Sequence, residues 1–149
     1  MQIYSVGNIR IMGKVAALDL GDVWIGVALS DTLRFFARPY TTIKKPELTA
    51  YLHQLLKTEL IDTIVIGLPK TMKGALSEQT QKVLSHKEFL AQEFPDIQWI
   101  LWDERLSSKR AISLQKVKKI HSKQSDHAVA AAFILDSYLL FSQAPLQPE

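Results

Sequence analysis

The chain has 149 residues, a formal net charge of +3, 47% apolar and 22% charged residues, and no cysteine. This length and apolar content predict one globular domain and exclude a disordered chain. The lack of cysteine excludes a disulfide scaffold, a cysteine-ligated zinc site and a thiol nucleophile, and it favours a cytoplasmic location.

No membrane segment is predicted. The longest apolar run, residues 128–141, contains Asp136 and is shorter than the about 20 residues that a membrane-spanning helix needs. The N-terminus is too polar for a signal peptide. Met12 precedes the first strand-like run, so we interpret residues 1–11 as an N-terminal extension, residues 12–141 as a single domain and residues 142–149 as a flexible tail.

Three strands are predicted in the first third of the domain. The apolar run Val15–Gly21 is typical of a buried strand, and Trp24–Ser30 follows a Gly-Asp turn as its hairpin partner. Phe35–Ile43 is predicted to be an edge strand, because Pro39 has no N–H to donate to a central ladder.

Alternating helices and strands follow. A helix is predicted to begin at Pro46, with leucines at helical spacing as far as Leu60, and the β-branched run Thr63–Gly67 predicts a fourth, buried strand. Ser77 and Glu78 are typical of the start of a second helix, which would end near Phe94, before a proline.

The last part of the domain is predicted to hold one strand and two helices. Ile97–Trp102 is the fifth strand. A short helix to about Gln115, a basic loop over Lys116–Gln124 and a final helix over Ser125–Phe141 complete the chain. Three meandering strands followed by alternating elements predict an α/β fold, a mixed sheet with helices on both faces.

Positive charge is concentrated between residues 105 and 123. This segment contains no Asp or Glu and holds 7 of the 18 basic residues. Such a one-sided segment favours polyanions. A solvated helix face followed by a loop explains the same pattern without any ligand.

Acidic residues occur at or near the carboxyl ends of predicted strands, where sites of open α/β sheets gather. Asp19 is near the end of the first strand, Asp103 and Glu104 follow the fifth, and Asp126 stands in the first turn of the last helix. Clustered carboxylates repel one another unless a cation lies between them, and such oxygen ligands suit Mg²⁺ or Mn²⁺. Structural roles also fit: turn hydrogen bonds for Asp19, helix capping for Asp103, pairing with Arg105 for Glu104, and a favourable helix terminus for Asp126.

Four sequence blocks resemble the YqgF/RuvX family. They are ALDLGDVWIGVALSD, VIGLPKTMKGALSEQTQKV, WDERLSSKRA and KQSDHAVAAAFILDSYL. The resemblance implies an RNase H-like fold with a five-stranded sheet of order 3-2-1-4-5 and an antiparallel second strand. It implies that Asp19, the acid of Asp103-Glu104, and Asp126 are metal-binding carboxylates. The family was first described as Holliday-junction resolvases and later as nucleases that process the 5′ end of pre-16S ribosomal RNA.

Several residues depart from the family pattern. The fourth strand ends without an acid, so the second carboxylate must come from the fifth strand, where Glu104 reaches further than Asp103. Trp24 and Lys73 stand where the family commonly has a basic residue and an acid. Trp24 fits either the core or a stack on a nucleobase. We interpret His127 as a surface residue; contact with Asp126 or a phosphate is the alternative.

The sequence therefore predicts a metal-dependent endonuclease that acts on structured RNA or branched DNA, in ribosome biogenesis or junction resolution, as a monomer or homodimer. Asp19, Glu104 and Asp126 would hold Mg²⁺ or Mn²⁺. A further set of basic residues would bind phosphates, namely Lys73, Arg105, Lys109, Lys116, Lys118, Lys119 and Lys123. The alternative is a non-catalytic module that binds RNA or ribosomal precursor particles. An actin-like ATPase is disfavoured, because the chain is too short for the second domain that such proteins close over ATP.

Overall fold

A computed structural model describes residues 3–6, 9–69, 77–103 and 123–142. It contains seven strands and three α-helices in these ranges: β1 (Ile3–Val6), β2 (Ile9–Met12), β3 (Lys14–Leu20), β4 (Trp24–Ser30), β5 (Ala37–Lys44), α1 (Leu48–Thr58), β6 (Ile61–Leu68), α2 (Glu78–Glu93), β7 (Gln98–Asp103) and α3 (Lys123–Ser142). A 3-10 turn, Lys45–Glu47, leads into α1. Within these ranges, no helix has the length and apolar character needed to cross a membrane.

The central sheet has the order β5-β4-β3-β6-β7. Strand β4 runs antiparallel to β3 and β5, whereas β3, β6 and β7 are parallel. Counted over the five predicted strands, this order is 3-2-1-4-5 with the second strand antiparallel, so the predicted topology is confirmed. The proline of the edge strand, Pro39, pairs with Ala28 beside a register shift in the β4–β5 ladder, where a missing donor is tolerated.

Helices cover both faces of the sheet, as predicted. Alternate residues of β3 face opposite sides, so Leu18 packs with Leu52 of α1 and Leu90 of α2 in one core cluster. On the other face, Ala17 packs with Leu135 of α3 in a second cluster. The first cluster is the larger and is built mainly from Leu, Ile and Val.

Helix α3 lies very close to β4. A Cβ atom added to Gly26 would stand 1.8 Å from the carbonyl oxygen of His127 and 2.8 Å from the amide nitrogen of Ala128. No side chain fits at this position, so the glycine allows the first turns of the helix to touch the strand. Gly26 is the register partner of Asp19, and this contact therefore sets the position of α3 relative to that acid.

Several element boundaries differ from the predictions. The antiparallel strands β1 and β2 lie in the segment interpreted as an extension, apart from Met12, which ends β2. Helix α1 ends at Thr58, because Glu59 adopts an extended conformation, and Leu60 therefore lies outside it. The third predicted strand begins at Ala37 and not at Phe35, because the Asp31 carboxylate accepts hydrogen bonds from the amides of Phe35 and Phe36.

The other helices are confirmed with small changes. Ser77 caps α2 as predicted, since its side chain accepts a hydrogen bond from the Thr80 amide. Helix α3 begins at Lys123, within the predicted basic loop, so its first turn extends two residues further toward the N-terminus than predicted. The predicted helix before this loop and most of the loop itself lie outside the described residues.

A buried ion pair closes the amino edge of the central sheet. Asp62, at the start of β6, has no solvent exposure. Its carboxylate accepts hydrogen bonds from the Arg34 guanidinium, the Gly13 amide and the Thr63 hydroxyl. Arg34 has a positive φ of 61°, which is costly for a side-chain-bearing residue. The hydrogen bonds to Asp62 and to the Gly13 carbonyl hold it there.

Candidate metal centre at the carboxyl edge of the sheet

Asp19 is the penultimate residue of β3 and pairs with Gly26 of β4. Because Leu18 belongs to the cluster under α1 and α2, strand alternation turns Asp19 toward the face that α3 covers. Its side chain is 25% exposed. The strand thus delivers one carboxylate, still in contact with solvent, to the carboxyl edge beside the first turns of α3.

His127 of α3 faces Asp19. Its Nδ1 atom lies 3.6 Å from the Asp19 carboxylate Oδ2 atom, and its side chain is 33% exposed. The ring also lies against the turn after β3, since a Cβ atom added to Gly21 would stand 3.4 Å from its Cε1 atom. His127 is therefore part of the site rather than an isolated surface residue, and no spacing in the sequence connects it with Asp19.

Asp126 precedes His127 in the first turn of α3. Its Oδ1 atom is buried and has no hydrogen-bond partner among the described residues. A buried carboxylate oxygen without a partner is costly, and a cation would satisfy it. The close contact between His127 and Gly26 places the start of α3 beside the strand next to Asp19. Carboxylate oxygens are also the ligands that Mg²⁺ and Mn²⁺ prefer, so the residues present fit a divalent cation.

Asp103 is the last residue of β7, two strands from β3, which is about 10 Å in backbone terms. Trp102 faces α3, because its indole N–H donates a hydrogen bond to Ser137. Strand alternation therefore turns Asp103 toward the opposite face from Asp19. Glu104 lies outside the described residues. In the described ranges, no three acidic or histidine side chains form a ready metal cluster.

Most of the predicted phosphate-binding residues also lie outside the described residues: Lys73, Arg105, Lys109, Lys116, Lys118 and Lys119. Lys123 is the first residue of α3 rather than part of a loop. Trp24, for which the sequence left two interpretations open, is partly buried. The Lys44 ammonium lies 5.8 Å from the centre of its ring, a distance typical of a cation–π contact.

The sheet order places the chain in a structural class, the RuvC-like RNase H fold. The structure superimposes on Thermus thermophilus RuvC bound to a Holliday junction with a TM-score of 0.57 and 14% sequence identity, over 89% of this chain and 96% of that one. Fowlpox virus resolvase in complex with Holliday junction DNA gives a TM-score of 0.53 at 13% identity, over 87% and 99%. Nucleases with this fold are typically metal-dependent.

Sequence comparison then gives the family. Residues 13–140 match the family model described as "RuvX: Holliday junction resolvase". Relatives named "Putative pre-16S rRNA nuclease" are 37% identical in Rubrobacter xylanophilus, over 85% of this chain and 92% of that protein, and 37% identical in Staphylococcus haemolyticus, over 85% and 94%. The chain belongs to the RuvX family, as the four sequence blocks implied.

Proposed function

We propose that this protein is a metal-dependent endonuclease that hydrolyses phosphodiester bonds in a nucleic acid. The observation that carries the proposal is the buried, unpartnered Oδ1 atom of Asp126, on a helix turn whose next residue faces Asp19. A buried carboxylate oxygen that receives no hydrogen bond from the described residues is unfavourable unless a cation satisfies it. Membership of the RuvX family supports the same activity.

Asp19, Asp126 and Glu104 are the proposed ligands. Strand alternation supports the choice of Glu104 over Asp103. Since Trp102 faces α3, Asp103 faces the opposite side from Asp19, which leaves Glu104 as the proposed ligand. Its longer side chain also suits the gap of two strand spacings from β3.

When bound, divalent cations in such a site lower the pKa of water and stabilise the charge on the attacking and leaving oxygens of a phosphodiester. The protein's own residues do the positioning. Asp19 and Asp126 present negative oxygens at fixed points of a strand and a helix. His127 lies 3.6 Å from the Asp19 carboxylate, just beyond hydrogen-bond distance. The basic residues between 105 and 123 hold the phosphates of the strand through contacts that carry no sequence information.

The proposed substrate is precursor 16S ribosomal RNA, cut near its 5′ end in the cytoplasm by a monomer. The names of the relatives that cover most of this chain support RNA. Branched DNA is the second candidate, because structures with this fold have been obtained with Holliday junctions. Junction resolution needs two symmetric cuts and hence a dimer, whereas trimming of one strand needs one active site.

The test is a cleavage assay with Mn²⁺ or EDTA on two substrates, a stem-loop RNA with a 5′ single-stranded extension and a four-way DNA junction. We expect cleavage of the RNA with Mn²⁺ and none with EDTA. Asp19→Asn should lower the rate at least about 100-fold, since loss of a metal ligand removes several kcal/mol of transition-state stabilisation. Asp96→Asn, at an exposed turn before β7 and so at the opposite edge of the sheet, is the matched control and should keep most activity.

If neither substrate is cut while RNA binding persists unchanged in Asp19→Asn, the nuclease proposal is wrong. The absence of an acid at the end of β6 would then favour the second function, a non-catalytic module that binds RNA or ribosomal precursor particles.

A further inference from the structure

A shallow groove, widely open to solvent, lies along α2 on the face of the sheet opposite α3. Its inner end is lined by Leu20 and Gly21, the two residues that follow Asp19, together with Lys45, Lys82 and His86. The same three basic residues line its outer part, which ends at Phe89. The groove therefore starts at the carboxyl edge that carries Asp19, on the face of the sheet opposite the Asp19 side chain, and leads away from this edge.

The composition of the groove is that of a nucleic-acid surface. Lys82, His86 and Phe89 follow one another at intervals of four and three residues on α2, so they share one face of the helix. Lys45 extends the row from the turn before α1. The Phe89 side chain is large, apolar and 52% exposed. Lysines combined with an exposed aromatic ring form the usual binding surface for phosphates and unpaired bases.

The acids in the groove do not neutralise this row. Glu78 approaches Lys82 only at 4.0 Å, and both side chains are largely exposed, at 88% and 58%. Exposed pairs of this kind contribute little and are easily exchanged for another anion. Asp22 lines only the inner end. Burial, and next the Lys45 charge, lower the pKa of His86, so at neutral pH the positive charge comes from the two lysines.

We propose that this groove binds a single-stranded segment of the nucleic acid substrate, with phosphates on Lys45 and Lys82 and one base stacked on Phe89. This proposal rests on the proposed nuclease function, and it adds the path of the strand beyond the metal centre. A double-stranded segment would hide its base faces from Phe89, so the groove selects unpaired strands.

The test measures the binding of fluorescent 12-nucleotide RNA and DNA strands over a series of salt concentrations. The full chain carries Asp19→Asn in all samples, so that the strands stay uncut. The double variant Lys45→Gln/Lys82→Gln should reduce the slope of log affinity against log salt by about 1.4, since each phosphate contact on a single strand contributes about 0.7. The control Lys57→Gln/Lys87→Gln removes two lysines outside the groove lining and should leave the slope unchanged.

Phe89→Ala should weaken binding of the single strand roughly five- to 150-fold, because a stacked base contributes about 1–3 kcal/mol. Phe89→Trp should keep the affinity for the single strand, because Trp also stacks on a base. The affinity for a duplex of the same sequence should be the same in the parent chain and in both variants. Phe36→Ala is the control, because Phe36 is also exposed, at 67%, but lies outside the groove. Equal losses with RNA and DNA support recognition of phosphate and base alone, whereas a loss only with RNA supports a further contact to the 2′-hydroxyl.

The groove assignment is overturned if both groove variants bind like their controls, or if Phe89→Ala weakens duplex and single strand equally. Cleavage by the otherwise unmodified chain distinguishes the two proposals. Cleavage that is lost in Asp19→Asn but insensitive to the groove variants refutes the groove and leaves the nuclease standing. A chain that neither cuts nor binds either nucleic acid refutes both.

Discussion

Buried carboxylates at the two edges of the central sheet differ in how completely they are hydrogen-bonded. At the amino edge, both oxygens of Asp62 accept hydrogen bonds from protein donors. At the carboxyl edge, Asp126 keeps a buried oxygen without such a partner in the described residues, and Asp19 remains partly exposed beside His127. A saturated carboxylate stabilises the fold, whereas an unsaturated one costs stability, and the proposed cation would offset that cost.

The largest effect is expected at the amino edge. Asp62→Ala should lower the free energy of unfolding by about 3–5 kcal/mol, because it leaves the Arg34 guanidinium and the Gly13 amide without their buried acceptor. Urea unfolding measures this loss, and metal binding by the folded fraction should be unchanged. A loss below about 1 kcal/mol would show that the pair does not hold this edge together.

The next largest effect is expected at Gly26, where strand β4 contacts helix α3. Gly26→Ala should cost about 1–3 kcal/mol and also lower cleavage, since the new methyl group must push the start of α3 away from β4. Ala28→Gly in the same strand alters stability without adding bulk and serves as the control. Full cleavage by Gly26→Ala would mean that the position of α3 is unimportant for the site.

Asp126→Asn tests the same comparison at the carboxyl edge. In the absence of metal we expect its stability to stay within about 0.5 kcal/mol of the parent or to rise, because a charge with an unpartnered oxygen is removed. Thermal unfolding in EDTA measures the effect. A large destabilisation would indicate a structural role for Asp126 like that of Asp62.

The smallest effect concerns His86, in the groove at the carboxyl edge. Burial, followed by the Lys45 charge, lowers its pKa, so the unfolded chain binds this proton more readily. Stability is then lost as the pH falls from about 6.5, the ordinary value, through the lower folded value. Lys45, Lys82, Asp22 and Glu78 line the same groove. Unfolding at pH 7.5 and 5.5 should show a smaller loss for His86→Gln than for the parent.

The elements of the fold could be predicted from the sequence because the buried strands have clear apolar patterns. The apolar runs of β3 and β6 and the capping residue Ser77 predicted the correct elements, and the resemblance supplied their order. Predicted boundaries were wrong where side chains hydrogen-bond to backbone amides. The Asp31 carboxylate, for example, accepts hydrogen bonds from the amides of Phe35 and Phe36, which therefore lie outside β5. The antiparallel pairing of β1 and β2 was also missed.

The candidate site was only partly predictable. Sequence position made Asp19 and Asp126 candidates, because strand ends and helix starts are recognisable, and the resemblance linked them; their role as metal ligands stays a prediction. The approach of His127 to Asp19 depends on the packing of α3 over Gly26, and the saturation of Asp62 depends on Arg34, 28 residues away. Such contacts across the fold leave no local pattern, and neither does the row of Lys45, Lys82 and Phe89, which combines a turn with a helix face.

The central claim is that Asp19 and Asp126 share a divalent cation, and calorimetric titration of the full chain with Mn²⁺ tests it most directly. We expect saturable binding by the parent chain, abolished by Asp19→Asn and by Asp126→Asn alike, and retained by Asp96→Asn. Binding should also raise the melting temperature of the parent, since a ligand specific to the folded state stabilises it. Unchanged Mn²⁺ affinity in both variants, or no binding by the parent chain, would contradict the claim.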